Sequence, residues 1–241
     1  MYKKLLAVST VLMSANTVLA DDYQFEVGGS YTNVSDDNDT DTDFTSITGK
    51  YYLSQVDTTG LPLAEAAFLQ RSSSIQALLA DSENATAVAL GGSFFVPGDM
   101  FYVGANVIRT SYDNNVVEDD STYNITAGIT PIEGLLLTTS YNEDVDYDAN
   151  ISAKYVKTLS GGRAINLIGA YQDVEGGFLT AGGDYYFNSR TSLGVLTSNS
   201  DDDTTWQIRG KHFVTDALFV GGAYTDSDSA SALTLEAGMR F

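Results

Sequence analysis

The chain has 241 residues, 43% of them hydrophobic, with 32 acidic residues against 12 basic ones and a formal net charge of −20. Such a charge repels a phosphate backbone, so no nucleic acid is expected as a partner. The absence of cysteine excludes disulfides, thiolate metal sites and cysteine nucleophiles.

The opening segment, MYKKLLAVSTVLMSANTVLA, sets Lys3 and Lys4 before an apolar run and puts Val18 and Ala20 at small-residue positions. That is the pattern of a secretory signal peptide, residues 1–20, with cleavage expected after Ala20. Residues 21–241 are then the exported domain. No later stretch approaches the ~20 consecutive apolar residues that a spanning helix needs.

From Tyr23 onward the sequence alternates with period two, the signature of strands with one apolar face. The apolar phase reads Tyr23 to Tyr31, Ile47 to Leu53, less cleanly Ala64 to Phe68, then Thr86 to Phe94. After Pro97-Gly98 come Phe101 to Val107, Tyr123 to Ile129, Leu135 to Tyr141 and Ile151 to Tyr155. The rest are Ile165 to Tyr171, Leu179 to Phe187, Leu193 to Thr197, Trp206 to Gly210, Leu218 to Tyr224 and Leu233 to Phe241. The count is fourteen, with twelve as the alternative, and an even number suits a closed barrel.

The least regular segment is LPLAEAAFLQRSSSIQALLADSEN. Its Ala, Leu, Glu and Gln content favours helix, and a helical plug in the lumen is one reading. Chain direction favours another, because an upward strand must lie between two downward ones. Residues 63–71 are therefore expected to be strand, with a short helical turn over residues 73–80.

Connections alternate as regularly as the strands. One set is mostly longer and acidic, including SDDNDTDTD, DNNVVEDDS, NEDVDYD and SNSDDDT; the other is short and turn-like, including VPGD, PIEG and LSGGR. Twenty-two of the 32 acids fall in the first set. A soluble sandwich has no reason to sort its acids this way, whereas a membrane barrel with long outer loops and short periplasmic turns does. Aromatics of the apolar phase gather at strand ends: Tyr31, Tyr123, Tyr141, Tyr171, Trp206 and Tyr224 near the acidic loops, and Tyr23, Tyr51, Phe101, Tyr155, Phe187 and Phe241 near the turns. Two such belts flanking an aliphatic band match the two interfaces of a bilayer.

The opposite phase is polar and is expected to line the lumen. Its charges are Glu26, Lys50, Glu65, Arg71, Lys154, Asp184, Arg209, Lys211, Glu236 and Arg240, of which Lys50 and Glu65 are the expected pair. Asp37, Asp39, Asp41, Asp43, Asp119, Asp120, Asp201, Asp202 and Asp203 are expected to crowd the outer mouth. The run DDNDTDTD spaces its acids as a calcium loop does, but it lacks the central Gly and closing Glu of an EF-hand. It is read as a solvated acidic loop, with divalent bridging to lipopolysaccharide as the alternative. The sole histidine, His212, falls in the lipid-facing phase, which deprives hydrolytic mechanisms of their usual base. No enzyme activity, cofactor or metal is expected.

The final strand, with Leu233, Leu235, Ala237 and Met239 alternating toward Phe241, resembles the assembly signal of Gram-negative outer-membrane β-barrel proteins, and the whole pattern resembles the small porins among them. The resemblance implies recognition of Leu233, Leu235, Met239 and Phe241 by the barrel-assembly machinery, with periplasmic chaperones as further partners. The expected fold is an all-β transmembrane up-and-down antiparallel β-barrel. Interstrand spacing and tilt give it a backbone radius of roughly 14 Å. The expected function is a monomeric, cation-preferring diffusion channel for ions and small hydrophilic solutes. Its rival is a non-conducting structural or surface-interaction barrel.

Overall fold

A computed structural model describes residues 22–36, 40–112, 119–143, 150–173, 177–199 and 204–241. The leader and the expected mouth residues Asp37, Asp39, Asp201, Asp202 and Asp203 lie outside the described residues. Fourteen strands follow one another: β1 (Asp22–Asp36), β2 (Asp41–Asp57), β3 (Ser74–Ser82), β4 (Ala85–Phe95), β5 (Phe101–Tyr112), β6 (Asp120–Ile129) and β7 (Leu135–Asn142), then β8 (Asn150–Thr158), β9 (Ala164–Gln172), β10 (Phe178–Asn188), β11 (Thr191–Asn199), β12 (Thr204–Phe213), β13 (Leu218–Asp226) and β14 (Ala230–Arg240). Each pairs antiparallel with its sequence neighbours, and β1 closes on β14 with Glu26 opposite Arg240 and Asp36 opposite Ala230. Closure pairs every described strand with two neighbours, so the sheet has no edge strand.

Alternation sends the aliphatic phase outward. Leu90 (61% exposed), Val195 (59%) and Leu235 (56%) lie bare on the outer face, an arrangement stable only where the surrounding medium is itself apolar. Exposed aromatics ring both ends of this band. Phe25, Tyr51, Phe101, Phe187 and Phe241 mark the short-turn end, while Tyr123, Tyr141, Tyr171, Trp206 and Tyr224 mark the loop end.

Two expectations need correction. The segment 63–71 is not strand: Leu63–Glu65 form a 3-10 turn and Ala66–Leu69 a short helix, α1, as the helix-forming residues there favour. The upward strand is β3, in the place where a helical turn was expected. Ile75 and Leu79 alternate outward from it and Ser74 and Gln76 inward, and it returns to β4 through Glu83 and Asn84 alone. β2 extends past the start of β3, since Tyr52 already faces Ser74, and the chain between them folds into the lumen. Tyr23 also leaves its expected place in the turn-end belt. The β1–β2 register slips between Tyr23 and Phe25, and this bulge turns Tyr23 inward, to 2% exposure, while the Gln24 amide reaches the outward Tyr51 hydroxyl at 3.1 Å. A bulge re-aims side chains in this way.

The buried apolar clusters lie around the infolded segment. Tyr23, Tyr52, Val56 and Ala66 form one, and Leu63, Phe213 and Phe219 the other.

Candidate functional site: the lumen and its infolded segment

Residues 58–73 cross the turn end of the lumen from wall to wall. On one side Ala66 packs on Tyr23, Tyr52 and Val56 of β1 and β2. Leu63 packs on Phe213 and Phe219 of β12 and β13, and its carbonyl accepts a hydrogen bond from Arg240 of β14 at 2.7 Å. On the far side Glu65 accepts a hydrogen bond from the Tyr186 hydroxyl of β10 at 2.8 Å and pairs with Lys154 of β8 at 2.7 Å. Arg71, at φ 54°, donates to the carbonyls of Asp99 and Thr130 in two other turns. The segment is thus a plug fixed to most of the barrel circumference. Its anchor Glu65 has a side chain only 5% exposed, so breaking the pair would strand a buried charge.

Strand register explains the other lumen charges. Asp184 faces Gly194, and Gly194 faces Arg209. One row of the wall therefore reads acid, glycine, base across β10, β11 and β12. The missing side chain lets Asp184 and Arg209 meet over the glycine in a bidentate pair, both bonds 2.8 Å. The same device recurs at Lys211, Gly221 and Glu236 across β12, β13 and β14, closing at 3.0 Å. A Cβ at Gly194 would lie 2.1 Å from Asp184 Oδ1, and one at Gly221 would lie 2.3 Å from Glu236 Oε1. Gly194→Ala should therefore destabilise the barrel by about 1–3 kcal/mol through overpacking. A lowered urea midpoint of the refolded protein in lipid vesicles is the expected reading, and an unchanged midpoint would count against the packing assignment.

Arg240, Glu26 and Lys50 form a third row. Arg240 takes the Glu26 carboxylate at 2.7 Å, and its guanidinium lies 4.5 Å from the ring centres of both Tyr23 and Phe213. Lys50 is left without an ion pair among the described residues; its Nζ lies 5.9 Å from the Tyr52 ring centre. The expected Lys50–Glu65 pair does not form, because the plug carries Glu65 to Lys154. Arg71 sits at the turn-end rim, outside the wall rows. Tyr186 lies in the lumen-facing phase as expected, but its role in holding the plug, like the roles of Asn166, Leu63 and Phe213, has no signal in the sequence pattern. Asn166 donates to Asp184 at 2.9 Å, and the others hold the plug.

Above the plug the described residues border two cavities that share Lys211 and Glu236. One, about 470 Å³, is bordered by Glu65, Lys154, Asp184 and Arg209; the other, about 230 Å³, by Glu26, Ser30, Ser46, Thr48 and Lys50. At the loop end, Asp43 accepts hydrogen bonds from Tyr31 and Asn33, and Asp41 accepts one from Ser35. Bonds from Ser111 and Arg109 hold the Asp119 carboxyl below the usual carboxylate range. Asp120 is exposed. His212 is exposed on the outer face with Nδ1 2.9 Å from Thr191 Oγ1, away from the lumen.

On the last strand Leu233 and Leu235 face outward, and Met239 lies opposite Val27. Phe241 exchanges backbone bonds with Phe25 at 2.7 and 3.0 Å and stacks on its ring with centres 5.5 Å apart.

Comparison with solved structures finds the crystal structure of the Acinetobacter baumannii outer membrane protein Omp33, 23% identical, at a TM-score of 0.79 over 91% of this chain and 99% of that one. At that identity the likeness establishes the fold. The KdgM porin (9% identity, 89% of this chain and 99% of that one, TM-score 0.45) and a mutant Rh. blastica porin (11%, 90% and 99%, 0.45) overlap more loosely. No curated protein matches the chain. The sequence matches the family described as "Putative general bacterial porin" over residues 1–131 and 118–241. The chain, a closed fourteen-stranded barrel with an apolar outer band and a polar lumen, belongs to this general bacterial porin family of the outer membrane.

Proposed function

We propose that the protein is a monomeric outer-membrane diffusion channel for ions and small hydrophilic solutes, with its plug across the periplasmic mouth and a preference for cations. The observation that carries this reading is the polarity of the lumen. Hydroxyls, amides and matched ion pairs face inward along the described strands, a lining that holds water and would be costly to keep dry. The placement of His212 on the outer face also supports a channel over an enzyme. Export after cleavage at Ala20 and insertion by periplasmic chaperones and the barrel-assembly machinery belong to the same proposal, as does contact of the acidic loops with lipopolysaccharide.

Lumen cations and carboxylates lie in mutual contact and largely cancel. The acids of the mouth then dominate ion preference at low salt, where the Debye length is about 10 Å at 0.1 M, and fade at 1 M, where it is about 3 Å. Reversal potentials across planar bilayers should show cation preference at 0.1 M that weakens as salt rises. Replacing Asp37, Asp39, Asp41 and Asp43 with Asn should reduce it at low salt. Anion preference at 0.1 M, or no effect of those substitutions, would remove the mouth-charge mechanism.

The wall-to-wall plug favours a second reading, a closed barrel whose acidic loops are its working surface. Single-channel recording separates the two, since a closed barrel gives no unitary steps.

A further inference from the structure

We infer that the lumen floor above the plug is a binding station for a small organic anion, carrying a carboxylate or a phosphate; this rests on the channel reading above only for how such a solute arrives. Although most of the lumen charges are paired, two of the three pairs around the larger cavity are not symmetric toward it. The Glu65 side chain is 5% exposed against 34% for Lys154, and Asp184 is 10% exposed against 29% for Arg209. In these two pairs the carboxylates are sunk into plug and wall while the cationic side chains stand more exposed, so both present their positive end to the cavity; the third pair, Lys211 and Glu236, is evenly exposed at 31% and 33%.

Lys211, shared by both cavities, stands between this surface and Lys50. Lys50 has no carboxylate of its own, because Arg240 occupies Glu26. Among the described charges of the wall rows, with the plug's Glu65 included, Lys50, Lys154, Arg209, Lys211 and Arg240 exceed Glu26, Glu65, Asp184 and Glu236 by one cation, and that cation is Lys50; the plug's Arg71 is engaged with turn carbonyls at the rim. Beside it Ser30, Ser46 and Thr48 offer hydroxyl donors. A basic surface with one uncompensated ammonium and neighbouring hydroxyls suits an oxyanion through charge-assisted hydrogen bonds. Volumes of about 470 and 230 Å³ admit a metabolite-sized solute.

The acidic mouth does not cancel this site. Mouth and floor lie at opposite ends of a band about 25 Å tall, and the Debye length at physiological salt is about 8 Å. Mouth charge therefore governs which ion carries most current, while the floor governs which solute dwells.

The test is titration calorimetry on the full, detergent-solubilised barrel, with succinate and inorganic phosphate in separate arms and uncharged succinamide as control. Saturable binding in either arm at 0.1 M salt, weaker at 1 M and absent for succinamide, is expected, and the arm that binds identifies the oxyanion. Lys50→Gln strands no partner and should weaken binding roughly tenfold, the worth of one charge-assisted hydrogen bond. The double substitution Lys211→Gln/Glu236→Gln removes the shared cation together with its carboxylate and should also weaken it, with heat-modifiable migration confirming that both variants fold. No binding in either arm, or wild-type affinity in both variants, would overturn the station. Planar-bilayer recording on the same preparation keeps the two readings apart: unitary conductance without anion binding removes the station alone, and anion binding without conductance removes the channel alone.

Discussion

Replacing Leu61–Ser72 with a four-residue Gly-Ser linker should raise unitary conductance several-fold over wild type. Fourteen strands enclose a backbone radius of roughly 14 Å, far wider than the passage left once a segment is fastened to β1, β2, β8, β10, β12, β13 and β14. The strand ladders close around the barrel without the plug, whose own bonds to the wall include those to Asp57 at the end of β2, to the Arg240 side chain and to turn carbonyls. Deletion should therefore remove the constriction and leave an inserted, heat-modifiable barrel. Glu65→Gln is the finer instrument. It keeps an acceptor for the Tyr186 hydroxyl but removes the charge facing Lys154, so the plug should stay docked less of the time. Frequent transitions between a small and a large conductance level are expected. Conductance unchanged by the deletion would show that the plug is not the constriction and would return attention to the outer loops.

Most of this architecture was legible in the sequence, because period two, acidic loops and aromatic belts are each imposed by one barrel in one bilayer. The plug was not, and the reason is specific. An upward strand had to lie between β2 and β4, and residues 63–71 and 74–82 both met that demand on direction. Helix propensity in Ala64–Leu69 is the correct local signal, and β3 meets the topological demand for an upward strand. The inward turn of Tyr23 depends on a one-residue bulge, which leaves no mark in the composition. The partners of the lumen charges needed strand register, which single strands do not encode. Once register is known, Gly194 between Asp184 and Arg209 and Gly221 between Lys211 and Glu236 become readable as gaps through which charges two strands apart can meet.

The seam between the first and last strands should separate two kinds of failure, one at Arg240 and one at Phe241. The Arg240 side chain is only 6% exposed. It holds the Glu26 carboxylate of β1, donates to the Leu63 carbonyl of the plug, and lies between the rings of Tyr23 and Phe213. Arg240→Ala leaves Glu26 in a half-buried site without its cation and a plug carbonyl without its donor, and breaking such a pair costs about 3–5 kcal/mol. The backbone ladder of β14 is untouched, so the variant should still insert, with a lower urea midpoint and a leakier plug. Phe241 sits differently. Its ring is outside, against Phe25, and its backbone carbonyl accepts from the N–H groups of Gln24 and Phe25. Deleting it removes the contact that draws β1 onto β14 at the turn end, together with the residue through which the assembly machinery is proposed to recognise the strand. Far less heat-modifiable barrel should then reach the outer-membrane fraction than after substitution of an inward aromatic such as Tyr102, while the barrels that do insert should keep a near wild-type plug. Equal yields for wild type and the Phe241 deletion would refute the assembly role. Wild-type stability and conductance in Arg240→Ala would refute the latch.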